Sequence, residues 1–401
     1  MAKALSSLKI PGFRWLLLGQ ALSLQGTWIQ GTAQRWLVLE LSDSPFHVGM
    51  LGAVSGLPIL LFSFFGGYLS DRFSRFSVLF FAHSLILAHG VFLALLIASG
   101  HITIAILIAT GFFLGTGMAF EVPARQGLVF DLVGRDGITN ALALHSTAFN
   151  LARFLGPAVA GYLMEAGLTA ACFAIKAVTA MGVMGAICLI YKRNYVGEKY
   201  AAKAAPPHMK DGLVFAWRHP TARMVLLTIL TFGTLLLPHS VLLPSLGRDV
   251  LGLGAREYGL LCAANGLGAL TGAIFVAFFG HKGKRTSWWW VGAVAFPCSL
   301  IAVGLMKGFF QASLVLYVSG FFMVICANSA ISLIQIIAPD HLRGQLMGIF
   351  TTSFMGFFPI GCIMTGALAN TMGVQTTLLI QGGVALCVVL FLGFVFRISP
   401  P

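Results

Sequence analysis

The residues of this sequence that could do chemistry are polar side chains at helical spacing inside apolar segments. Near the N-terminus, five hydrogen-bonding residues follow one another at intervals of three or four positions: Gln20, Ser23, Thr27, Gln30 and Gln34. On an α-helix these intervals place all five side chains on one face. A polar face in apolar sequence must contact protein or water, so this stripe either lines a cavity or makes hydrogen bonds between helices.

Charged residues inside apolar segments need partners, because charge is costly in a low-dielectric environment. We predict that Glu121 forms an ion pair with Arg153 on the following apolar segment. The pair is either a structural salt bridge or a gate, in which Glu121 takes up a proton and releases Arg153. Arg35 and Lys176 are expected to snorkel from the ends of their segments. If they face inward instead, they make the interior electropositive.

Neutral polar residues complete the set of candidates. In the second half of the chain, the residues at depth are His239, Asn265, Asn328 and Gln335. No carboxylate is expected there to bind a cation, so we predict an anionic or zwitterionic, partly apolar solute. In the first half, His83, His89 and His145 are expected to pack between helices, although a histidine pKa near neutrality would also let them carry protons.

In the segment around residue 150, small residues and polar residues occupy two adjoining faces of the predicted helix. Small residues recur every four positions and permit close helix packing; they are Ala148, Ala152, Gly156 and Ala160. The adjoining face carries Ser146, Asn150, Arg153 and Pro157. Pro157 can bend the helix.

Signatures of enzymes are absent from the sequence. It contains no GxxxxGK phosphate loop, no nucleophile elbow and no HExxH. The seven cysteines lie in apolar segments without metal-ligand spacing. We therefore expect no enzymatic activity, no cofactor and no metal ion.

The elements that position these residues must lie in a membrane. Hydrophobic residues make up 58% of the 401 residues and charged residues only 9%, and the mean hydropathy is +0.91. About 20 apolar residues cross a bilayer, and we predict twelve spans, which begin near Phe13, His47, Val78, Ile102, Ala141, Leu168, Thr221, Glu257, Ser287, Gln311, Gly344 and Val374. The predicted fold class is all-α integral membrane, since lone helices satisfy their own backbone hydrogen bonds in lipid.

The placement of positive charge predicts the topology. The formal net charge is +13, and nineteen of the 25 Lys and Arg, Arg125 among them, are assigned to the termini or to loops that follow even-numbered spans. The positive-inside rule then puts both termini in the cytoplasm. The first apolar segment continues to Leu39 without a clear cleavage site, so we expect it to be retained as a span. This charge pattern does not favour nucleic-acid binding.

A polar stretch divides the chain into two predicted halves. Residues 1–191 and 220–401 each form a six-helix bundle, and residues 192–219 form a cytoplasmic linker with a short amphipathic helix near Leu213 to Trp217. The halves are pseudo-symmetric, because Arg135 before Gly156 and Pro157 is echoed by Arg343 before Pro359. A basic turn follows the second predicted span. Gly67 and Asp71 permit tight packing of the helix end, and Arg72 and Arg75 hold the turn in the cytoplasm.

Four runs resemble the major facilitator superfamily, in the drug:proton antiporter branch that includes the enterobactin exporter and macrolide efflux proteins. These are residues 19–45, 66–75, 120–161 and 339–350. The resemblance implies two six-helix halves with the solute between them at mid-depth. It also implies that the Gly67, Asp71, Arg72 and Arg75 loop acts as a gate with an acidic partner, here Asp131 or Glu121. Ser74 and Phe76 depart from the usual loop pattern. The run from Ala152 to Gly161, with Gly156 and Pro157, is similar to the antiporter motif.

Residues and resemblance together predict a monomeric secondary transporter of the bacterial inner membrane that exports a siderophore-like compound in exchange for protons by alternating access. Its partners are the solute, protons and membrane lipid. The predicted cavity residues are Gln20, Thr27, Gln30, Gln34, Asn150, Arg153, Asn265, Asn328 and Gln335. The predicted coupling and gating residues are Glu121, Arg153, Gly67, Asp71, Arg72, Arg75, Asp131, Gly156 and Pro157. One alternative is a multidrug or macrolide efflux pump, and another is a membrane sensor or assembly partner that does not transport.

Overall fold

The computed structural model describes residues 6–195, 209–279, 285–339 and 341–396, and every regular element in these ranges is helical. A 3-10 helix at Ser6–Lys9 is followed by α1 (Pro11–Ser42), α2 (Pro45–Arg72), α3 (Arg75–Ala98), α4 (Ile104–Glu165) and α5 (Thr169–Lys192). Then come α6 (Met209–Arg218), α7 (Pro220–Thr231), α8 (His239–Ser245), α9 (Ala255–Phe279), α10 (Arg285–Leu305), α11 (Phe309–Ile337), α12 (Arg343–Thr351), α13 (Phe358–Met372) and α14 (Val374–Phe396). Three π-helical segments lie among them, at Phe232–Leu236, Leu246–Val250 and Thr352–Gly356. The all-helical fold class is confirmed.

The chain divides into two compact units. The first contains residues 1–43 and 54–202, and the second contains residues 44–53 and 203–401. The bundle boundaries at 191 and 220 stay predictions, and residues 196–208 of the expected linker lie outside the described residues. The amphipathic helix expected in this region is α6, where the Gly212 N–H donates a 2.6 Å hydrogen bond to Oε1 of Gln345.

Local sequence sets where the helices of the first unit begin and end. Pro11 lies in the first turn of α1, where a missing N–H leaves no hydrogen bond unmade. α1 ends at Asp43, which takes a left-handed φ of 49°. Thr103 caps α4, since its Oγ1 accepts a 3.3 Å hydrogen bond from the Ile106 N–H.

Helix α4 is two helical segments joined at Gly134. At 62 residues, a continuous α4 would be roughly 93 Å long at 1.5 Å per residue, about three times the hydrocarbon thickness of a bilayer. At Gly134 the backbone leaves helical geometry, with φ 66° and ψ −174°. A positive φ of this kind is easily adopted only by glycine. The segments on either side of Gly134 are therefore separate helices.

Apolar side chains from four helices form the core of the first unit. α1 contributes Phe13 and Leu16, α3 contributes Leu79, α4 contributes Leu128 and α5 contributes Ile187, all buried. The cluster holds these four helices together. It thereby fixes which faces of α1, α3, α4 and α5 meet.

The second unit has its own core, which is richer in aromatic side chains. Trp289, Phe296, Phe232 and Phe350 are buried within it. The rings of Phe232 and Phe296 meet edge to face, with centroids 5.2 Å apart. Phe232 begins one of the π-helical segments, so this segment is held by packing on both sides.

Ten segments of the described residues are long and apolar enough to cross a membrane. α1 is not among the ten, because its four glutamines lower its hydropathy. α4 is counted once despite the break at Gly134. The chain is therefore a multi-pass membrane protein, and the count of twelve spans stays a prediction.

Candidate functional site: a polar network inside the first unit

Lys176 lies buried between α5 and α1, with 3% of the residue exposed. Its Nζ donates hydrogen bonds to the Ser23 carbonyl at 3.2 Å, to Ser23 Oγ at 3.0 Å and to Thr27 Oγ1 at 2.8 Å. The expectation that Lys176 snorkels was wrong, because its ammonium is buried and donates to three acceptors on α1. It faces the interior of the first unit, at the interface of α1 and α5.

Helices α1 and α5 approach closely enough for these bonds because residue 26 is glycine. A Cβ at Gly26 would lie 3.0 Å from the Cα of Lys176 and closer still to the hydroxyl of Thr179. No larger residue fits there without moving α5. Gly26 therefore sets the helix spacing that lets Lys176 reach Ser23 and Thr27.

The two glutamines at the C-terminal end of the α1 stripe, Gln30 and Gln34, make hydrogen bonds to α3 and α4. Gln30 is 1% exposed, and its Nε2 donates to Nδ1 of His89 at 3.2 Å and to Oε1 of Gln34 at 3.4 Å. Gln34 Nε2 donates to the Leu107 carbonyl at 3.1 Å. These bonds join helices of one unit, which is the second of the two interpretations of the stripe. His89 lies in this packed position, as a helix-packing histidine would.

Gln20 differs from the rest of the stripe. It is 4% exposed, and its Nε2 has no hydrogen-bond partner among the described residues. A buried amide donor without a partner is costly. Gln20 lies one turn before Ser23 on the same face of α1, so an unused donor adjoins the Lys176 site. Arg35, at the other end of the stripe, is half-buried.

Glu121 pairs with Arg125, four residues later on α4. Arg125 Nε lies 2.7 Å from Glu121 Oε1, and both side chains are largely shielded from solvent. The expected pair of Glu121 with Arg153 was therefore wrong, because the i,i+4 position on the same helix supplies a nearer cation. The assignment of Arg125 to a cytoplasmic loop was also wrong, since it lies within the first segment of α4.

Arg125 also contacts the second segment of α4. Its Nη1 lies 2.9 Å from Nε2 of His145. One guanidinium therefore links Glu121 to His145 across the break at Gly134. His83 on α3 lies within electrostatic reach of Glu121, and its Nδ1 makes a 3.0 Å hydrogen bond with the Leu79 carbonyl.

Arg153 lies over the indole ring of Trp28 on α1, with its Cζ 5.7 Å from the ring centroid. Gly156, one turn further along, permits this contact between helices: a Cβ there would lie 2.5 Å from the Cβ of Trp28. Pro157 is buried inside α4, and Asn150 is buried and donates to the Ser146 carbonyl at 2.9 Å.

The basic turn is tied to α4 through Arg75. Arg75 Nη1 lies 2.5 Å from Oδ1 of Asp131, and it donates a 2.6 Å hydrogen bond to the Gly127 carbonyl. Of the two acidic partners considered for the turn, Asp131 is thus the one in contact. Arg72 is exposed and donates to the Tyr68 hydroxyl. The side chains at Gly67 and Asp71 lie outside the described part of the structure.

The predicted residues of the second unit are spread over three helices, α8, α9 and α11. Asn265 on α9 is buried and donates a 3.1 Å hydrogen bond to the Leu316 carbonyl on α11. On α11, Asn328 is half-buried and Gln335 is exposed. His239 is buried, and its Nδ1 makes a 2.7 Å hydrogen bond with the Leu236 carbonyl. These contacts do not bring the four residues together.

The described residues include no cluster of three or more histidines, cysteines or carboxylates arranged to hold a metal ion. What the first unit offers is a buried ammonium beside hydroxyls, and a guanidinium shared by a carboxylate and an imidazole. Such groups bind anions and exchange protons, and they need no metal to do so.

Residues 2–400 of the chain match the transmembrane secretion effector family. The chain belongs to this family of the major facilitator superfamily.

Relatives of known name match most of the chain. The staphyloferrin A transporter of Staphylococcus aureus is 22% identical over 93% of both chains. The multidrug efflux pump Tap of Mycolicibacterium fortuitum is 24% identical over 88% of both. The enterobactin exporter EntS of Citrobacter koseri is 25% identical over 98% of this chain and 94% of its own.

The solved structures support the fold. A POT family transporter in complex with a thioalcohol-conjugated peptide superposes with a TM-score of 0.76 over 96% of both chains, at 13% identity. At this identity only the fold is shared. Family membership makes this protein a membrane transporter and not an enzyme.

Two contacts of the structure were not predicted from the sequence. The first joins Arg125 to Glu121, and the i,i+4 spacing of these residues was its signal. The hydrogen bond from Gln381 Nε2 to Thr365 Oγ1, 2.6 Å long and buried between α14 and α13, had no sequence signal. Its two residues lie sixteen positions apart on different helices.

Proposed function

We propose that this protein is a secondary active exporter that moves a small amphiphilic, anionic or zwitterionic, siderophore-like compound across the bacterial inner membrane in exchange for protons. It acts as a monomer with twelve spans, by alternating access, and both termini lie in the cytoplasm. The proposed cargo contacts are Lys176, Thr27 and Gln20. The proposed coupling residue is Glu121.

The buried ammonium of Lys176 carries this proposal. Its acceptors are a carbonyl and two hydroxyls, and no carboxylate of the described residues forms an ion pair with it. Removing an ion from water costs several kcal/mol, and charges inside membrane proteins mark solute and proton paths. An anionic oxygen of a cargo molecule that displaced the hydroxyls would neutralise this charge.

The chemistry of a siderophore fits such a site. A compound that chelates ferric iron presents anionic oxygen atoms, and its organic frame is partly apolar. Gln20 adds an unused amide donor one turn from Ser23. The names of two relatives, a staphyloferrin A transporter and an enterobactin exporter, support the same class of cargo.

Proton exchange would act on Glu121. Its carboxylate is shielded and paired with Arg125, so a proton on Glu121 would remove the negative charge that anchors the guanidinium. A change of partners at a buried ion pair is a local event that can bias a conformational equilibrium. Arg75 paired with Asp131 is the proposed gate contact.

The test is transport by the purified full chain in proteoliposomes. Labelled enterobactin and staphyloferrin A serve as probes, first as counterflow at equal pH and then with an imposed pH gradient. We expect counterflow of at least one probe. We also expect this probe to accumulate in the vesicles when the solution that supplies it is more alkaline than the vesicle interior, because protons then leave as the probe enters. Absence of counterflow for both probes, in vesicles that hold folded protein, would contradict the proposal.

A multidrug efflux pump is the second candidate, and the similarity to Tap favours it. The same vesicles distinguish the two. Counterflow of a macrolide without counterflow of either siderophore would select drug efflux. Counterflow of any probe excludes the sensor that does not transport.

A further inference from the structure

Arg125 joins two helical segments that the chain separates by a turn. It lies nine residues before Gly134, and His145 lies eleven residues after it. At 1.5 Å per residue, the two positions are about 14 and 17 Å from the break. The 2.9 Å contact between their side chains therefore forms well away from the turn, between segments that run side by side.

The hydrogen bond fixes the protonation of His145. A guanidinium only donates, so Nε2 of His145 must accept, and the ring must be neutral with its proton on Nδ1. A proton added at Nε2 would take from Arg125 Nη1 its acceptor on His145. It would also place two positive groups in contact.

Resting on the proton exchange proposed above, we propose that His145 is a positioning residue of the coupling step. Neutral His145 accepts from Arg125 and holds the guanidinium between the two segments of α4. A proton taken up from water at Nε2 breaks this link and lets the second segment move away from the first. Loss of that proton to the other side restores the link.

The charged surroundings of His145 come from three helices. Arg125 and Glu121 of the first α4 segment act on it directly. Behind them, His83 of α3 and Lys176 of α5 act on Glu121. α1 carries its charged residues, Arg14, Arg35 and Glu40, toward its two ends. The three groups Glu121, Arg125 and neutral His145 sum to zero charge, and an added proton makes the sum positive.

The test distinguishes protonation of His145 from its role as a hydrogen-bond acceptor for Arg125. His145→Gln keeps an acceptor for Arg125 but cannot be protonated, whereas His145→Leu removes both, and His101→Gln changes an exposed histidine far along the chain. We expect His145→Gln to keep counterflow at equal pH while its accumulation under a pH gradient falls about ten-fold. Its exchange rate should lose the rise or fall toward acid pH that protonation of the His145 imidazole gives the unchanged protein. His101→Gln should behave as the unchanged protein.

A second measurement needs no cargo. Spin labels at Val122→Cys and Leu142→Cys, both exposed positions on opposite segments of α4, report the distance between the segments in a background without the native cysteines. We expect this distance to lengthen when the pH falls from about 8 to about 4, and His145→Gln should abolish the change. A distance that does not respond to pH, or a normal pH profile in His145→Gln with impairment only in His145→Leu, overturns the proposal. If no probe shows counterflow but the distance between the two labels still changes with pH, the result would contradict the proposed function and not this proposal.

Discussion

Lys176 illustrates how one side chain can be buried with no ion-pair contact among the described residues. Its aliphatic stem lies beside Gly26 of α1, and each N–H of its ammonium donates to an oxygen on α1. Hydrogen bonds of this kind satisfy the donors but leave the positive charge in a low-dielectric region. A protein that needed only stability would gain by replacing such a lysine.

Lys176→Met should therefore separate function from stability. We expect siderophore counterflow to fall about ten-fold, the loss of roughly one charge-assisted contact, while the melting temperature in detergent is unchanged or raised. Lys192→Met, at the exposed end of the same helix, is the matched control and should leave both quantities unchanged. An equal loss of transport and melting temperature in Lys176→Met would mean that the lysine is structural.

Glu121→Gln should remove a charge while preserving the shape of the side chain. The amide oxygen can still accept from Arg125, so we expect folding and counterflow at equal pH to persist. Accumulation driven by a pH gradient should be lost, because glutamine cannot take up a proton. Glu40→Gln, exposed near the end of α1, is the control. Full gradient-driven accumulation in Glu121→Gln would remove Glu121 from the coupling step.

Part of this residue-level arrangement could be predicted from the sequence. The helical spacing of Gln30 and Gln34 predicted their shared face, and the burial of Glu121 within apolar sequence predicted its need for a partner. The acceptors of Lys176 could not be predicted, because they depend on how α5 is rotated against α1. That rotation is set by packing at Gly26, a contact between residues 150 positions apart.

Helix spacing in the first unit depends on a few close approaches between backbones. Gly26 brings α1 to α5, and Gly156 brings the second segment of α4 to Trp28 of α1. Ionic contacts then fix the ends of the helices, as Arg75 at the start of α3 does with Asp131 on α4. Packing sets the distances, and charges set which ends meet.

Gly26→Ala should destabilise the first unit. The added methyl group would press on Thr179 and on the backbone of Lys176, and overpacking of this kind costs about 1–3 kcal/mol. Gly31→Ala, on the same helix, is the matched control, since a Cβ there meets nothing within 4 Å. Thermal unfolding in detergent should show a lower midpoint for Gly26→Ala alone. Equal midpoints for the two variants would contradict the close approach.

Exchanging the charges of the Arg75 and Asp131 pair should test the tie between α3 and α4. Arg75→Asp and Asp131→Arg should each reduce transport and stability, because each places like charges together. The double exchange should recover part of the loss, with a coupling free energy of about 0.5–3 kcal/mol for residues in contact. Additive losses in the double variant would show that the contact does not contribute.

At the scale of the whole molecule, composition predicted more than any motif. The mean hydropathy predicted an all-helical membrane protein, and the fold confirms it. The count of twelve spans stays a prediction, because α1 falls below the hydropathy of the ten apolar segments and α4 counts as one segment despite the break at Gly134.

The path of the chain across the membrane can be tested by cysteine labelling in intact cells, in a background without native cysteines. If the two segments of α4 are separate spans, Asp136→Cys at the break and His101→Cys before α4 lie on opposite sides. We expect an impermeant maleimide added outside to label His101→Cys and to spare Asp136→Cys until the cells are opened, as the positive-inside rule requires. Labelling of both from outside would contradict twelve spans with cytoplasmic termini.

The π-helical segment at Thr352–Gly356 has a consequence for deletions. A π turn holds one more residue than an α turn, so removing any one of these five residues would let the segment wind as ordinary α-helix. The residues after it would then keep their angular position, because the residue removed is the surplus one. Removing a residue from the α-helical α12 would instead rotate everything after it by about 100°, the angle that one residue occupies on a helix, and the buried stripe of α13, with Pro359, Cys362 and Thr365, would face the wrong neighbours. The π segment is therefore the place where the chain can lose one residue, and deleting Met355, whose side chain is exposed, should be far less damaging than deleting a residue of α12.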